Sequence, residues 1–115
     1  MMMAEEAIDL PLDLSLLASS ESDPATQLIE DHRFGSAQNF DTVRAFGHEC
    51  DVVTFDHEVV NLDALATLEA DGCVIAPSPW ALRFATDKAF QREMFAQNHL
   101  PVPEFIILSS LDHDA

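Results

Sequence analysis

Residues 51–103 read DVVTFDHEVVNLDALATLEADGCVIAPSPWALRFATDKAFQREMFAQNHLPVP, and the order of elements in this stretch decides the fold. Val52, Val53 and Phe55 make 51–55 a compact strand, and its near-continuous apolarity predicts cover on both faces. Asn61 caps the next helix, along which Leu62, Leu65 and Leu68 recur at the spacing of a sheet-facing stripe. Asp71-Gly72 ends that helix in a left-handed turn. A second short strand covers 73–76. From Ser78 or Pro79 the pattern predicts one long helix to about Asn98, with Trp80, Phe84, Met94 and Phe95 on its apolar side. Pro101 and Pro103 forbid its continuation.

Working outward, residues 1–10 predict a short helix with Met2, Met3, Ala7 and Leu10 on one face, stopped by Pro11. Residues 12–18 (LDLSLLA) read as a strand that ends in the polar turn 19–24. Asp23 caps a short helix over 24–30, with Pro24 at its first position. Residues 31–40 are irregular, with a brief strand around Phe34. Asp41 caps a helix to about Glu49, with Val43 and Phe46 inward. Residues 104–108 (EFIIL) are a last strand or an extended linker, and 111–115 are a polar stop. Short strands alternating with helices predict an α/β fold with a parallel sheet and right-handed crossovers.

With 115 residues the chain is at most one domain, and an apolar fraction of 48% suits a packed core. Its 21 acids against 5 bases give a formal charge of −16. Such a surface repels nucleic acid and anionic membrane, so neither is an expected partner. The bland reading of that charge is solubility, and it outweighs a docking role. Cys50 and Cys73 form no metal or redox motif and read as free, largely buried thiols. No apolar run spans a bilayer, and the N-terminus has no signal-peptide pattern, which leads to a cytoplasmic expectation. His32, His48, His99 and His113 are scattered. Asp56-His57-Glu58 is no chelate, because neighbours on a strand point to opposite faces; no metal ligand is expected. Glu5-Glu6 and Asp112–Asp114 are ordinary solvated acids, and there is no P-loop or nucleophile elbow.

The block 51–103 resembles the end of the N-terminal domain of the N5-carboxyaminoimidazole ribonucleotide synthase family, ATP-grasp ligases of purine biosynthesis. The resemblance rests on Val53-Thr54-Phe55-Asp56-His57-Glu58-Val59, Leu68-Glu69-Ala70, Pro77-Ser78-Pro79, Ala81-Leu82, Thr86-Asp87-Lys88 and Leu100-Pro101-Val102-Pro103. It departs at Pro11, where the family commonly has glycine, and at Asn61, where proline often follows Val-Val. It implies a Rossmann-like pre-ATP-grasp domain over 1–103 and, over 104–115, the start of a linker toward an ATP-grasp domain. It also implies a chain that begins at the helix opening with a Met-Met pair, without the family's first strand and glycine-rich turn. A fragment of this kind is expected to be inactive alone.

The resemblance further implies an enzyme that phosphorylates bicarbonate with ATP and passes the carboxyl group to aminoimidazole ribonucleotide. ATP and magnesium would be held mainly by other domains, and the family tends to form homodimers. Lys88, the only lysine, stands where the family places a basic residue on the ATP phosphates; the alternative is a solvated surface lysine. Ligands of open parallel sheets bind beyond the carboxyl ends of the strands. Glu58 and Asp23 are there the candidates for the ribonucleotide, against surface solvation for Glu58 and helix capping for Asp23. Two other readings stand beside this one. A stand-alone acidic α/β interaction module would be a well-behaved species in solution, whereas a fragment would be loose. The formate-dependent glycinamide ribonucleotide transformylases share the layout, but Asp56-His57-Glu58 followed by Val-Val favours the carboxylating family.

Overall fold

The computed structural model describes residues 2–108. The expectations for His113, for Asp112–Asp114 and for the rest of 109–115 lie outside the described residues. In chain order the elements are α1 (Met2–Ala7), β1 (Ser15–Ala18), a 3-10 turn (Pro24–Gln27), β2 (Asp31–Phe34), α2 (Phe40–Gly47) and β3 (Val52–Val53). Then come α3 (Leu62–Ala70), β4 (Val74–Ile75), α4 (Pro79–Thr86) and α5 (Lys88–Gln97). The class is α/β with parallel pairing throughout: β1 pairs with β2 from Ser15↔Asp31 to Ala18↔Phe34, and β3 pairs with β4 through Val52↔Val74 and Val53↔Ile75. Among the described residues no ladder joins the two pairs, so every strand is an edge strand.

The core lies between α3 and its neighbours. Leu65, Leu68 and Ala64 are fully buried, and Val43, Ile75 and Leu82 close around them. Helices α2 and α3 touch where α2 has no side chain. A Cβ on Gly47 would fall 2.4 Å from a Leu68 methyl, so any larger residue there would force the buried leucine to shift. Asn61 caps α3 through an Ala64 N–H to Oδ1 bond of 2.8 Å. The other end closes with Cys73 N–H on the Leu68 carbonyl and Gly72 N–H on that of Glu69, with Gly72 at φ 94°. That is the paired hydrogen bonding of a Schellman stop, and the positive φ suits glycine.

Several expectations need correction. The long helix from 79 to 98 is two helices. Asp87 adopts an extended conformation, ends α4 and caps α5 by accepting the Phe90 N–H at 2.9 Å. A short acidic side chain that satisfies a backbone N–H offers the chain an alternative to continuing the helix. Phe84 and Phe95 would lie about 16 Å apart along an unbroken helix. Their rings are 6.2 Å apart and stacked, and Phe84 also meets Trp80 and Phe90 edge-on. Trp80 itself remains 61% exposed.

Helix α2 is capped by Asn39, which accepts both the N–H and the hydroxyl of Thr42; Asp41 sits in the first turn instead. The strands are shorter than their apolar runs. Val52 and Val74 are register partners, share a face and are both exposed, so β3 is covered only on the Val53–Ile75 side. Helix α1 meets the rest of the chain through Ala4, the small residue that allows close approach, and leaves Met2 and Met3 on the open side. Cys50 and Cys73 are free but only half-buried, and burial pushes the Cys50 thiol up. Residues 104–108 form neither helix nor strand and are exposed, with Ile106 at 88%.

Two measurements test this account of the core. Leu65→Ala is expected to cost about 3 kcal/mol, a large share of what so small a core supplies. Asn61→Ala is expected to cost about 1 kcal/mol for the lost cap. Urea denaturation followed by circular dichroism reads both. A Leu65→Ala change smaller than the Asn61→Ala change would contradict the placement of the core.

Candidate functional site

The loops beyond the carboxyl ends of the four strands form one edge. Gly35 N–H donates to the Ala18 carbonyl at 3.0 Å and joins the ends of β1 and β2. Ala76 N–H donates to the Val53 carbonyl at 3.0 Å and joins those of β3 and β4. Asn61 ties the two halves: its N–H donates to the Ala37 carbonyl at 2.8 Å and its Nδ2 to the Gln38 carbonyl at 3.0 Å. The loop after β2 is thereby fastened to the loop after β3.

Asp23 and Glu58 both lie on segments that leave this edge. Asp23 follows β1 and is half-buried. Its Oδ1 accepts the Ala25 N–H at 3.2 Å, and its carbonyl accepts the Thr26 hydroxyl at 2.7 Å. Its capping role is therefore met within the chain, and the second carboxylate oxygen is the one left for a ligand. Glu58 follows β3 and is exposed; among the described residues its carboxylate makes no hydrogen bond or ion pair within the chain. Beside it, the Val59 N–H donates to His57 Nδ1 at 3.2 Å, which leaves the other ring nitrogen to carry the proton in the neutral side chain.

Lys88 is the first residue of α5. Its Nζ reaches Gln91 Oε1 at 3.4 Å and is otherwise exposed. A cation at a helix N-terminus faces the positive end of the macrodipole, an unfavourable place that an anion would relieve. The Asp87 carboxylate already takes the Phe90 N–H and draws Arg83 NH2 to 3.4 Å, while the Arg83 guanidinium lies 4.1 Å above the Phe90 ring. The Phe90 N–H is the main reason that the Asp87 carboxyl is held below its ordinary range, with Arg83 adding to it. Arg92 stands four residues on, on the same side of α5, a like-charge spacing that keeps the two cations unpaired with each other. No direct contact links Lys88 with Glu58 or Asp23. Among the described residues no group of three or more His, Cys, Asp or Glu is arranged to hold a metal. No helix among them is long and apolar enough to cross a membrane.

Comparison with known proteins adds to this geometry. The ribonucleotide synthetase preATP-grasp domain matches residues 1–86. The N5-carboxyaminoimidazole ribonucleotide synthase of Mycobacterium leprae is 37% identical over 111 residues, covering 96% of this chain and 25% of that protein. The enzyme of the same name from Synechocystis is 36% identical over 110 residues, covering 96% of this chain and 28% of that protein. The chain thus spans about a quarter of the length of these relatives. Among solved structures, N5-carboxyaminoimidazole ribonucleotide synthetase from Thermotoga maritima superposes with a TM-score of 0.86 at 28% identity, over 98% of this chain and 31% of that one. The Staphylococcus aureus synthetase, solved with ADP, superposes with a TM-score of 0.71 at 21% identity, over 84% of this chain and 26% of that one, a likeness of fold.

The Asp87 cap has a pH signature. A carboxyl group held down in the folded chain stabilises it above its unfolded pKa, and that contribution is lost as pH falls through the folded value. An NMR titration of the Asp87 carboxyl carbon is expected to give a midpoint below that of the same residue in an unfolded peptide. A midpoint at or above the peptide value would remove the cap from the account of the helix break.

Proposed function

The chain belongs to the ribonucleotide synthetase preATP-grasp domain family, and from that membership we propose that it is the ribonucleotide-side domain of an ATP-dependent ligase. The reaction is the carboxylation of 5-aminoimidazole ribonucleotide with bicarbonate, a step of purine biosynthesis. In it the terminal phosphate of ATP passes to bicarbonate. The exocyclic amine of the ribonucleotide then attacks the activated carboxyl carbon, and phosphate leaves. The observation that carries this reading is the similarity to carboxylating synthases along 96% of the chain. Residues 1–103 act as the preATP-grasp unit and 104–115 as the connection onward.

Within that reaction the residues named above bind and orient. Glu58, unengaged beyond β3, accepts hydrogen bonds from the ribose hydroxyls, as carboxylates at this edge of a parallel sheet do for nucleotides. Asp23 assists through its free oxygen. Lys88 meets the phosphates of ATP as a flexible point charge at the start of α5, where its present partner is one long bond to Gln91. Magnesium would supply charge neutralisation at the transferring phosphate, held mainly by residues of other domains.

The test uses the 15N-labelled chain in two titrations. ADP is expected to shift the amides of 87–91, and Lys88→Met to weaken that response about tenfold, as for a hydrogen bond to a charged group. Aminoimidazole ribonucleotide is expected to shift amides of 23–27 and 56–60, with a comparable loss in Glu58→Gln. Responses that fall elsewhere on the chain, or that survive both substitutions at full strength, would overturn the assignment.

A further inference from the structure

At the opposite end of the strands, where β1 and β2 begin, an open groove of about 570 Å³ with a mixed polar and apolar lining runs between α1 and residues 12–15 and 28–31. The nucleotide reading makes no use of it. Its walls include Ile8, Leu12, Leu14 and Leu28, which are 67%, 59%, 36% and 42% exposed.

The rim is acidic. Asp13, Glu30 and Asp31 line the groove. Asp31 accepts the Ser15 hydroxyl, and among the described residues none of the three has a basic partner within ion-pair distance. Arg33, on the same strand as Asp31, feels its charge but is ion-paired with Glu49, and the other bases stand elsewhere. Arg44 pairs with Asp71 and Arg83 with Asp87, while Lys88 and Arg92 are on α5. With a formal charge of −16, a second copy of the chain is a repelled occupant, and so is any other acidic surface. A cationic amphipathic segment suits both the exposed apolar side chains and the acidic rim, the arrangement by which amphipathic helices lie in grooves.

We propose that this groove docks a basic amphipathic segment of another protein. Its apolar side chains fill the space between Leu12 and Leu28, and its lysines or arginines lie against Asp13, Glu30 and Asp31. Because Asp13, Glu30, Leu12 and Leu28 are exposed, replacing them leaves the buried core untouched.

The probe is a fluorescein-labelled peptide of about 14 leucines and lysines, with leucine at helical spacing, titrated with the full chain and read by anisotropy. Binding that weakens with added salt is expected. The double variant Asp13→Lys/Glu30→Lys should lose about tenfold or more in affinity, whereas Asp63→Lys/Glu69→Lys on α3, of equal net charge, should lose less than about twofold. Leu12→Ser/Leu28→Ser should lose about tenfold, with its circular dichroism unchanged. Equal losses from the two charge reversals would show attraction to bulk charge alone and overturn the proposal. So would an absence of binding, or self-association that disappears in Leu12→Ser/Leu28→Ser, which would assign the groove to a second copy.

Discussion

The close approach of α2 and α3 at Gly47 and Leu68 is the constraint on which the rest of the chain depends. In its present packing it relies on Gly47 presenting no Cβ to the Leu68 side chain. The approach brings Val43 onto Leu65 and Leu68, and these with Ile75 and Leu82 are most of the buried apolar matter in the described chain. Once α3 is seated, its cap residue Asn61 is carried to the loop after β2 and fastens it. The edge on which Glu58 and Asp23 are displayed is therefore a consequence of helix packing on the other side of the same helix.

The break at Asp87 has a similar economy. One carboxylate ends α4, starts α5, accepts the Phe90 N–H and holds Arg83. Its effect is to place the chain's only lysine at a helix start instead of a helix middle. There the ammonium gains nothing from the helix and is available to an anionic group. Helix α5 carries no buried residue and is attached through the Phe84 cluster and the Gln91 bond to the Phe84 carbonyl at 2.9 Å.

Much of this was legible from residue type. The caps at Asn61, Ser78 and Asp23, the stop at Gly72 and the Leu65–Leu68 stripe all follow from local chemistry, and all are present. The parallel α/β class followed from element order. What was not legible depended on partners distant in the chain. Val52 was read as doubly covered because apolarity does not reveal which faces find a neighbour. The helix over 79–98 was read as continuous because Thr86-Asp87-Lys88 contains no proline or glycine, and the competing bond to Phe90 is visible only in three dimensions. Asp41 was favoured over Asn39 as a cap because both are good caps two residues apart, and the bonds to Thr42 decide between them. Of the candidate site, Glu58, Asp23 and Lys88 came from motif and strand-end position, and their roles remain proposals.

The separation of the two strand pairs bears on how the molecule breathes. With no ladder between them, opening β1 from β2 removes no backbone hydrogen bond from β3 and β4. The half that holds α2, α3 and β4 contains the sealed core; the other half has Ala18 and Ala25 buried and Leu17 packed against that core. Cooperative units follow such divisions of buried contact. Amide protons of β1 and β2 should therefore be lost to solvent through partial openings that leave α3 protected, so that the chain has two levels of protection rather than one.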